Sequence, residues 1–411
     1  KFKMPIDWRR MTNDLSVGFQ QRLEILKLLS HDVQTLIFDE PTAVLTPIES
    51  ESFYQKILQL KKAGKTILLV THKLKDVLKY SDDITIFRKG HSIKSIKTPL
   101  ASIDLLSELM IGHSLKEDLN PSTSSNPKRD HAINPSINPK GEFNSTDLKD
   151  EISIPEMTLS QISVPELNLR KIDLTVSSGE ILGIAGIEGN GQSELIKFLL
   201  NPRKYPSARG QYYFKNEEVI KEDTFSLRQR GYRYLPQDRL RQGSVAEFDL
   251  LENFLLGNVA QNFWINLKDL SEKISSSIKA FDIRPDDKNT IFSKLSGGNQ
   301  QKLVVARELQ PGLKFLIAAE PTRGVDISAV STIHSEIKKL KKQNLPILLI
   351  SSDLDELISL SDRIVVIRDR ETKSIWKKEH FNEFAIGRDM LGGDALPDLT
   401  SGNDPLKGKP L

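Results

Sequence analysis

The 411-residue sequence contains no cysteine, which excludes a disulfide framework, a cysteine zinc site and a thiol nucleophile. Basic and acidic residues nearly cancel, because 58 lysines and arginines face 55 aspartates and glutamates and leave a net charge of +3. That balance disfavours a protein that binds nucleic acid by neutralising its phosphates. The sequence also lacks any apolar run near the roughly 18 residues that a membrane-spanning helix needs.

Apolar residues amount to 38% of the chain, enough to form folded cores and to exclude wholesale disorder. At roughly 150 residues per domain, the length predicts two or three domains. Residues 113–154 differ in composition, because Asn-Pro recurs there among serines and charged residues. Proline fixes its own φ and disfavours helix at the residue before it. We therefore predict a disordered linker over 113–154, and a second flexible tail over 393–411.

The sequence repeats itself on the two sides of that linker. The segment that begins at Leu15 returns at Leu295, and Glu40-Pro41-Thr42 returns as Glu320-Pro321-Thr322, both at an offset of 280 positions. The same register holds as far as Met110, which also returns as methionine. Coincidence does not keep register over such a distance. We predict two copies of one domain, over 1–112 and 155–392, with the first copy incomplete.

Short apolar runs between polar turns predict buried parallel strands in both copies. These runs are Leu36–Phe38, Thr66–Val70, Phe315–Ala318 and Pro346–Ile350. Apolar residues at helical spacing over Gln20–Leu29 predict a helix. Strands that alternate with helices indicate an α/β fold, in which helices cover both faces of a sheet.

A glycine-rich segment follows a predicted strand and precedes a predicted helix in the second copy. Such a segment forms a phosphate cradle, because successive backbone N–H groups and the helix dipole point at the anion. The spacing matches GxxxxGK[ST], with Ser193 at the magnesium-binding position, but Gln192 replaces the lysine and its charge. A tight turn that only packs a helix on a strand is the alternative. The candidate residues are Gly186, Gly189, Asn190, Gly191, Gln192, Ser193 and Glu194.

Other candidate residues follow predicted strands. In the first copy Asp39 can hold the water shell of a magnesium, and Glu40 can polarise an attacking water, although such a pair can also be an ordinary strand end. In the second copy Ala319 replaces the aspartate. His72 fits a γ-phosphate sensor, although a lone histidine is more often structural. Gln237 can contact magnesium or water, or merely fill a turn.

Together these residues resemble the nucleotide-binding subunit of an ABC transporter. The most specific motif is the signature segment Leu295–Gln301, and the order of the motifs along the chain matches the family. More narrowly, the chain resembles the fused double-cassette subunits of bacterial sugar and nucleoside importers. That resemblance rests on a first signature at Leu15–Arg22, on Asp39–Pro47 and on the loop Glu188–Glu194. It implies two P-loop NTPase domains (ABC cassettes), each with a mixed sheet core and a helical subdomain.

The resemblance also implies that two cassettes close head to tail, with each ATP and its Mg²⁺ between the phosphate loop of one copy and the signature of the other. One site would be hydrolytic, with Asp39 on the metal, Glu40 orienting water and His72 sensing the γ-phosphate. The other site, built on the Gln192 loop, would bind nucleotide weakly and hydrolyse it poorly. The remaining ATP-binding residues that the resemblance implies are Ser16, Gly18, Gln237, Ser296, Gly297, Gly298, Asn299 and Asp326.

A phosphate loop for the first copy, at the spacing of the second copy, would fall before residue 1. We therefore expect a chain truncated at its N-terminus, which by itself cannot assemble the hydrolytic site. The full protein would have roughly 540 residues by this repeat arithmetic.

The resemblance implies a peripheral subunit at the cytoplasmic face of the cell membrane. Its expected partners are integral-membrane permease subunits and, indirectly, an extracellular substrate-binding protein, with no nucleic acid. Two alternatives stay open: a soluble double-cassette ATPase acting on ribosomes, and an inactive remnant of a truncated gene. The Asn-Pro-rich linker and Gln192 argue against the first alternative. Intact Asp39, Glu40 and His72 argue against the second.

Overall fold

The computed structural model describes residues 11–12, 23–28, 33–42, 45, 47–71, 73–88, 90–111, 155–187, 189–257, 267–325 and 327–392. The predicted linker and tail lie outside these described residues. So do four candidate site residues, namely Ser16, Gly18, His72 and Asp326.

The second copy is built on a ten-stranded mixed sheet. Its strands, in chain order, are β5 (Pro155–Val164), β6 (Leu169–Ser177), β7 (Ile181–Ala185), β8 (Arg209–Phe214), β9 (Glu217–Glu218), β10 (Tyr232–Leu235), β11 (Phe315–Ala319), β12 (Ile347–Ile350), β13 (Arg363–Arg368) and β14 (Glu371–Lys377). They lie in the order β10-β11-β12-β7-β13-β14-β6-β5-β8-β9. Neighbouring strands pair in parallel, as predicted, along one side of the sheet, which consists of β10, β11, β12, β7 and β13. On the other side β5, β6, β8 and β9 pair antiparallel.

Helices cover both faces of this sheet, and its own antiparallel strands β5, β6 and β8 curl over one of the two faces. The helices are α5 (Gln192–Leu200), α6 (Thr224–Gln229), α7 (Leu250–Leu255), α8 (Leu267–Ala280), α9 (Gly297–Glu308), α10 (Ile327–Lys342), α11 (Leu354–Leu360) and α12 (Glu383–Leu391). Successive side chains of a strand point to opposite faces. Leu316 of β11 therefore enters a core with α7 to α12, and its neighbour Ile317 enters a second core with α5, β5, β6 and β8. The predicted α/β fold with helices on both faces is confirmed.

The first copy has the same elements at the same spacing. Residues 23–28 form part of a helix, α1, which lies within the predicted helix Gln20–Leu29. The other elements are β1 (Thr35–Asp39), α2 (Pro47–Lys62), β2 (Thr66–Val70), α3 (Leu74–Tyr80), β3 (Asp83–Arg88), β4 (His91–Lys97) and α4 (Ile103–Ile111). Each of these from β1 to α4 returns in the second copy at the offset of 280, as β11, α10, β12, α11, β13, β14 and α12. The domain boundaries remain predictions.

The sheet of the first copy has a gap in its middle. β1 pairs in parallel with β2, and β3 pairs antiparallel with β4, but these pairs form separate two-stranded sheets. In the second copy β7 lies between β12 and β13. No strand of the described residues takes that place between β2 and β3.

The prediction of a buried strand over Thr66–Val70 is therefore wrong about burial, although the bounds and the parallel pairing hold. Leu68 is 54% exposed and Val70 48% exposed. Their counterparts Leu348 and Ile350 are buried in the second copy against α5 and β7. Among the described residues, nothing equivalent covers this face of the first copy.

Candidate functional site

The glycine-rich segment of the second copy joins β7 to α5, as a phosphate loop does. Gly189 and Gly191 have φ of 92° and 115°, a left-handed region that favours glycine. A Cβ at Gly186 would clash with the carbonyl of Ile367 and with the side-chain amide of Gln192. The backbone of this loop can therefore take its course only with glycine at these positions.

Gln192 is the first residue of α5, and its side-chain amide lies against Gly186 at the other end of the loop. A lysine here would bring a positive charge to bound phosphates, whereas the amide offers one neutral hydrogen bond. The loop is held by the turn between β13 and β14, because the carbonyl of Asn190 accepts a 3.0 Å hydrogen bond from Arg370 N. The loop therefore has the backbone geometry of a phosphate cradle but lacks the positively charged lysine side chain.

A cavity of about 40 Å³ lies at this loop. Ligand sites are usually in the range of roughly 300–1,000 Å³, so a nucleotide could enter only if the loop region opened. Five predicted site residues line the cavity, namely Gly186, Gly189, Gln192, Ser193 and Gln237. Asn190, Gly191 and Glu194 do not line it.

Sequence reasoning missed several residues that line this cavity. Leu45 belongs to the first copy, yet it lines the cavity beside Ser193 and is only 5% exposed. Its counterpart at the offset of 280 is Val325, which is also buried. That shared apolar character, and the place of Leu45 inside the segment Asp39–Pro47 that carries the resemblance, are the signals that could have marked it. Arg323 and Met390 line the cavity as well, and the only signal for Met390 is that it repeats Met110 at the offset of 280.

Glu320 follows β11 at the edge of the same cavity. Its backbone has φ of 46°, and its N–H donates to the Ile350 carbonyl at 2.7 Å. Its Oε1 accepts a 2.7 Å hydrogen bond from Ser352 N. Burial, and secondarily the nearby carboxylate of Glu356, raise the pKa of Glu320 to about 7. At this pKa the carboxyl group is about half protonated near pH 7, and a pKa close to the working pH is the range in which a general base acts efficiently.

Glu356 lies next to Glu320 and is held by two polar side chains. Its Oε1 accepts a 2.7 Å hydrogen bond from Thr322 and lies 2.9 Å from His334 Nε2. The carboxylate is 4% exposed, so these contacts replace its hydration. The cluster therefore adds negative charge beside Glu320.

Glu40 occupies the equivalent position in the first copy but lines a different cavity, of about 950 Å³, between the edges of β2 and β3. Its φ is 45°, and its N–H donates to the Val70 carbonyl at 2.9 Å. Thr71 Oγ1 donates to its Oε2 at 3.4 Å. Asp39, one residue earlier, ends β1 with an exposed side chain. The structure therefore places Glu40 and the Gly186 loop at two separate cavities.

The signature residues form the start of α9. Ser296 caps the helix, because its Oγ accepts from Asn299 N at 3.4 Å. Asn299 Oδ1 accepts a 3.0 Å hydrogen bond from Arg284 N. Ser296, Gly297, Gly298 and Asn299 do not line the small cavity at the phosphate loop.

Arg239 links the signature to the loop after β10, and sequence reasoning missed it. Its Nε donates to Gln300 Oε1, and its Nη1 donates to the Arg323 carbonyl, both at 3.2 Å. A Cβ at Gly297 would lie 2.7 Å from Arg239 Nη2, so a larger residue there would displace the guanidinium. The only signal in the sequence is that Arg239 follows Gln237 by two positions.

The donor set at the small cavity fits Mg²⁺ poorly. Mg²⁺ prefers one or two carboxylates together with phosphate oxygens and waters. Ser193 and Gln237 are neutral, and Ala319 stands where the first copy has Asp39. The one carboxyl in the lining, Glu320, already accepts a hydrogen bond from Ser352 N and has a raised pKa. No group of three or more His, Asp or Glu side chains that could hold a metal occurs within the part of the chain that the structure describes. None of the described helices is long and apolar enough to cross a membrane.

A strand, phosphate loop and helix, followed by a capped signature helix and an acidic strand end, define a nucleotide-binding cassette. A family profile described as "ABC transporter" matches residues 169–323. The nucleoside import ATP-binding protein NupA of Lactococcus lactis is 33% identical over 96% of this chain and 74% of its own length. The guanosine import ATP-binding protein NupO of Bacillus subtilis is 35% identical over 92% of this chain and 71% of its own length.

A ribose import ATP-binding protein, RbsA of Caldanaerobacter subterraneus, is 30% identical over 95% of this chain and 74% of its own length. Among solved structures, the ADP- and Pi-bound dimeric ATP-binding cassette MJ0796 matches with a TM-score of 0.48 and 19% identity, over 55% of this chain and 100% of that chain. The chain belongs to the ATP-binding proteins of ABC transporters, enzymes that couple ATP hydrolysis to transport.

Proposed function

We propose that the chain energises import of a sugar or a nucleoside through a separate membrane permease. The names of the relatives support import as the direction of transport, and two of the three name a nucleoside. On this proposal the protein lies at the cytoplasmic face of the membrane. An extracellular substrate-binding protein would deliver the substrate to the permease.

We propose further that the two cassettes have unequal ATP sites. The observation that carries this is the difference between the two acidic strand ends: Asp39-Glu40 in the first copy, Ala319-Glu320 in the second. The second site also has Gln192 in its phosphate loop and a cavity of only about 40 Å³. These features favour a site that binds nucleotide weakly and hydrolyses it poorly, with Ser16 and Gly18 as its signature.

In the hydrolytic site, Asp39 would hold the water shell of Mg²⁺, and Glu40 would orient the attacking water. His72 would sense the γ-phosphate, and the N-terminus of α9 at Ser296–Asn299 would clamp it. Aligned N–H groups at a helix start stabilise the charge that develops on phosphate. The metal itself would supply charge neutralisation on the phosphate oxygens.

This site needs a phosphate loop, and the first copy has a face on which one would fit. Four apolar side chains are exposed there, and their counterparts at the offset of 280 are all buried against the lobe that carries the second phosphate loop. The exposed side chains are Ile37, Leu68, Val70 and Phe87, and the buried counterparts are Ile317, Leu348, Ile350 and Ile367. We propose that a lobe built like residues 155–235, with its own phosphate loop, covers this face and places a strand between β2 and β3.

The test compares two conservative variants in the complete transporter, purified with its permease. Glu40→Gln is expected to lower ATP turnover by roughly 10²-fold, the size of a lost general base, while ATP binding is kept. The matched variant Glu320→Gln is expected to change turnover by less than about twofold, because the second site contributes little hydrolysis. Equal losses from the two variants would overturn the unequal-site proposal.

A further inference from the structure

The two copies pack against each other through equivalent helices. α2 contacts α12, and α10 contacts α4. Since the offset of 280 converts α2 into α10 and α4 into α12, these two contacts are counterparts of each other. Pro47 at the start of α2 lies against Gly387, where a Cβ would be 3.5 Å from the proline Cδ. The copies are therefore related by an approximate two-fold axis.

An ion pair lies on this axis. Lys75 Nζ, on α3, is 2.6 Å from Asp355 Oδ1, on α11, and the two residues are 280 positions apart. Only residues near a two-fold axis can contact their own counterparts. The hydrogen bond from Lys75 to Asp355 raises the pKa of the lysine.

Charges differ in sign at equivalent positions around the axis. Lys73 corresponds to Asp353 and Lys75 to Asp355, while Glu383 stands in the second copy where the first has Ile103. All six residues line a cavity of about 460 Å³ between the copies. The second copy therefore presents three carboxylates to this cavity and no lysine. The first copy presents three lysines, Lys73, Lys75 and Lys79, together with the carboxylates of Glu51 and Asp76.

We propose that Asp353, Asp355 and Glu383 form a pairing surface that selects the first copy of the same chain as its partner and disfavours pairing with the second copy of another molecule. Two second copies paired about the same axis would oppose Asp355 with Asp355, and two first copies would oppose Lys75 with Lys75. Like charges placed opposite each other at an interface suppress the wrong pairing. The proposal concerns pairing rather than hydrolysis, so it can fail while the proposed function holds.

The partner is tested by zero-length carbodiimide coupling on the unmodified full chain. The 2.6 Å contact should give a Lys75–Asp355 isopeptide bond that mass spectrometry identifies. In an equal mixture of isotopically heavy and light chains, we expect this linked peptide to be all heavy or all light. Linked peptides that combine heavy and light halves would show that the copies pair between molecules, and would overturn the proposal.

The role of the charges is tested by reversal and exchange. Lys75→Asp or Asp355→Lys alone should speed amide hydrogen exchange in α2 and α12 by about fivefold at low salt, the upper range for an exposed ion pair. The exchanged pair, Lys75→Asp with Asp355→Lys, should bring exchange back to within about twofold of the parent chain. High salt should shrink these differences, because exposed charges are screened.

A matched control is available inside the first copy. Lys97 and Asp83 form an exposed 2.7 Å ion pair between β4 and β3 that does not cross to the second copy. Lys97→Asp should leave exchange in α12 unchanged. The proposal is overturned if the single reversals at the axis behave like this control, or if the exchanged pair fails to restore protection.

Discussion

Glu40 and Glu320 share one backbone conformation although their surroundings differ. Their φ values are 45° and 46°, and each N–H donates to the last residue of the neighbouring strand, Val70 or Ile350. A non-glycine residue with positive φ is uncommon, so its presence at both positions shows that the strand end is built alike in the two copies. What differs is the cavity that each carboxyl lines, since Glu320 lies beside the phosphate loop of the second copy and Glu40 lies at the open face between β2 and β3.

The raised pKa of Glu320 predicts a pH dependence of stability. The folded chain keeps a proton on this carboxyl between its ordinary pKa of 4.5 and about 7, whereas the unfolded chain has lost it. The folded state then binds more protons, so the free energy of unfolding falls as pH rises through this window, by up to roughly 3 kcal/mol. Urea unfolding at pH 5 and pH 8 checks this, with Glu320→Gln removing that part of the decline. Equal pH slopes for the parent chain and the variant would contradict the prediction.

Replacing Gln192 by lysine should restore part of the phosphate cradle. The lysine adds a charge-assisted contact to bound phosphate, which should tighten ATP binding at the second site by roughly tenfold. Titration calorimetry on the purified chain measures the change in Kd. The control variant Gln192→Met has a long unbranched side chain like lysine but no charge, and it should bind ATP no better than the parent chain. If both variants bind alike, the missing charge does not limit this site.

Leu68 and Leu348 are equivalent in sequence, and only the second is enclosed. Leu348→Ser should destabilise the second copy by roughly 3 kcal/mol, because it leaves a cavity and buries a hydroxyl. Leu68→Ser should cost less than about 0.5 kcal/mol in this chain, since the side chain is 54% exposed. Calorimetric unfolding compares the two. In a protein where a lobe covers that face, the two costs should become similar, and a persistent difference there would count against the proposed lobe.

Gly297 leaves room for the guanidinium of Arg239, so Gly297→Ala should displace it. The added methyl should cost about 1 kcal/mol, the lower end for overpacking, because the nearest atom is the movable end of the Arg239 side chain. The double variant Gly297→Ala with Arg239→Ala should recover much of the lost stability, because the guanidinium that the methyl would displace is then absent. A double-mutant cycle on the free energy of unfolding measures this coupling. Additive effects would mean that the two residues do not compete for the same space.

Sequence patterns predicted the strands well where local chemistry decides them. Thr66–Val70 has the bounds that its apolar run and polar flanks indicated, and the predicted strand Phe315–Ala318 extends by one residue to Ala319. The α/β fold and the phosphate loop followed in the same way. The exposure of Leu68, the place of Leu45 at the second cavity and the contacts of Arg239 could not be predicted, because each depends on a partner far away in the chain.

The sequence by itself determined the repeat, the order of the motifs and the unequal chemistry of the two acidic strand ends, because residue types and spacing are local properties. Only the tertiary structure decided which apolar face is covered, how the two copies pack, and that Lys75 meets Asp355. These depend on which surfaces come together in space, and one sequence offers many apolar and charged surfaces that could pair. Burial and shape choose among them, and neither can be read from composition or periodicity.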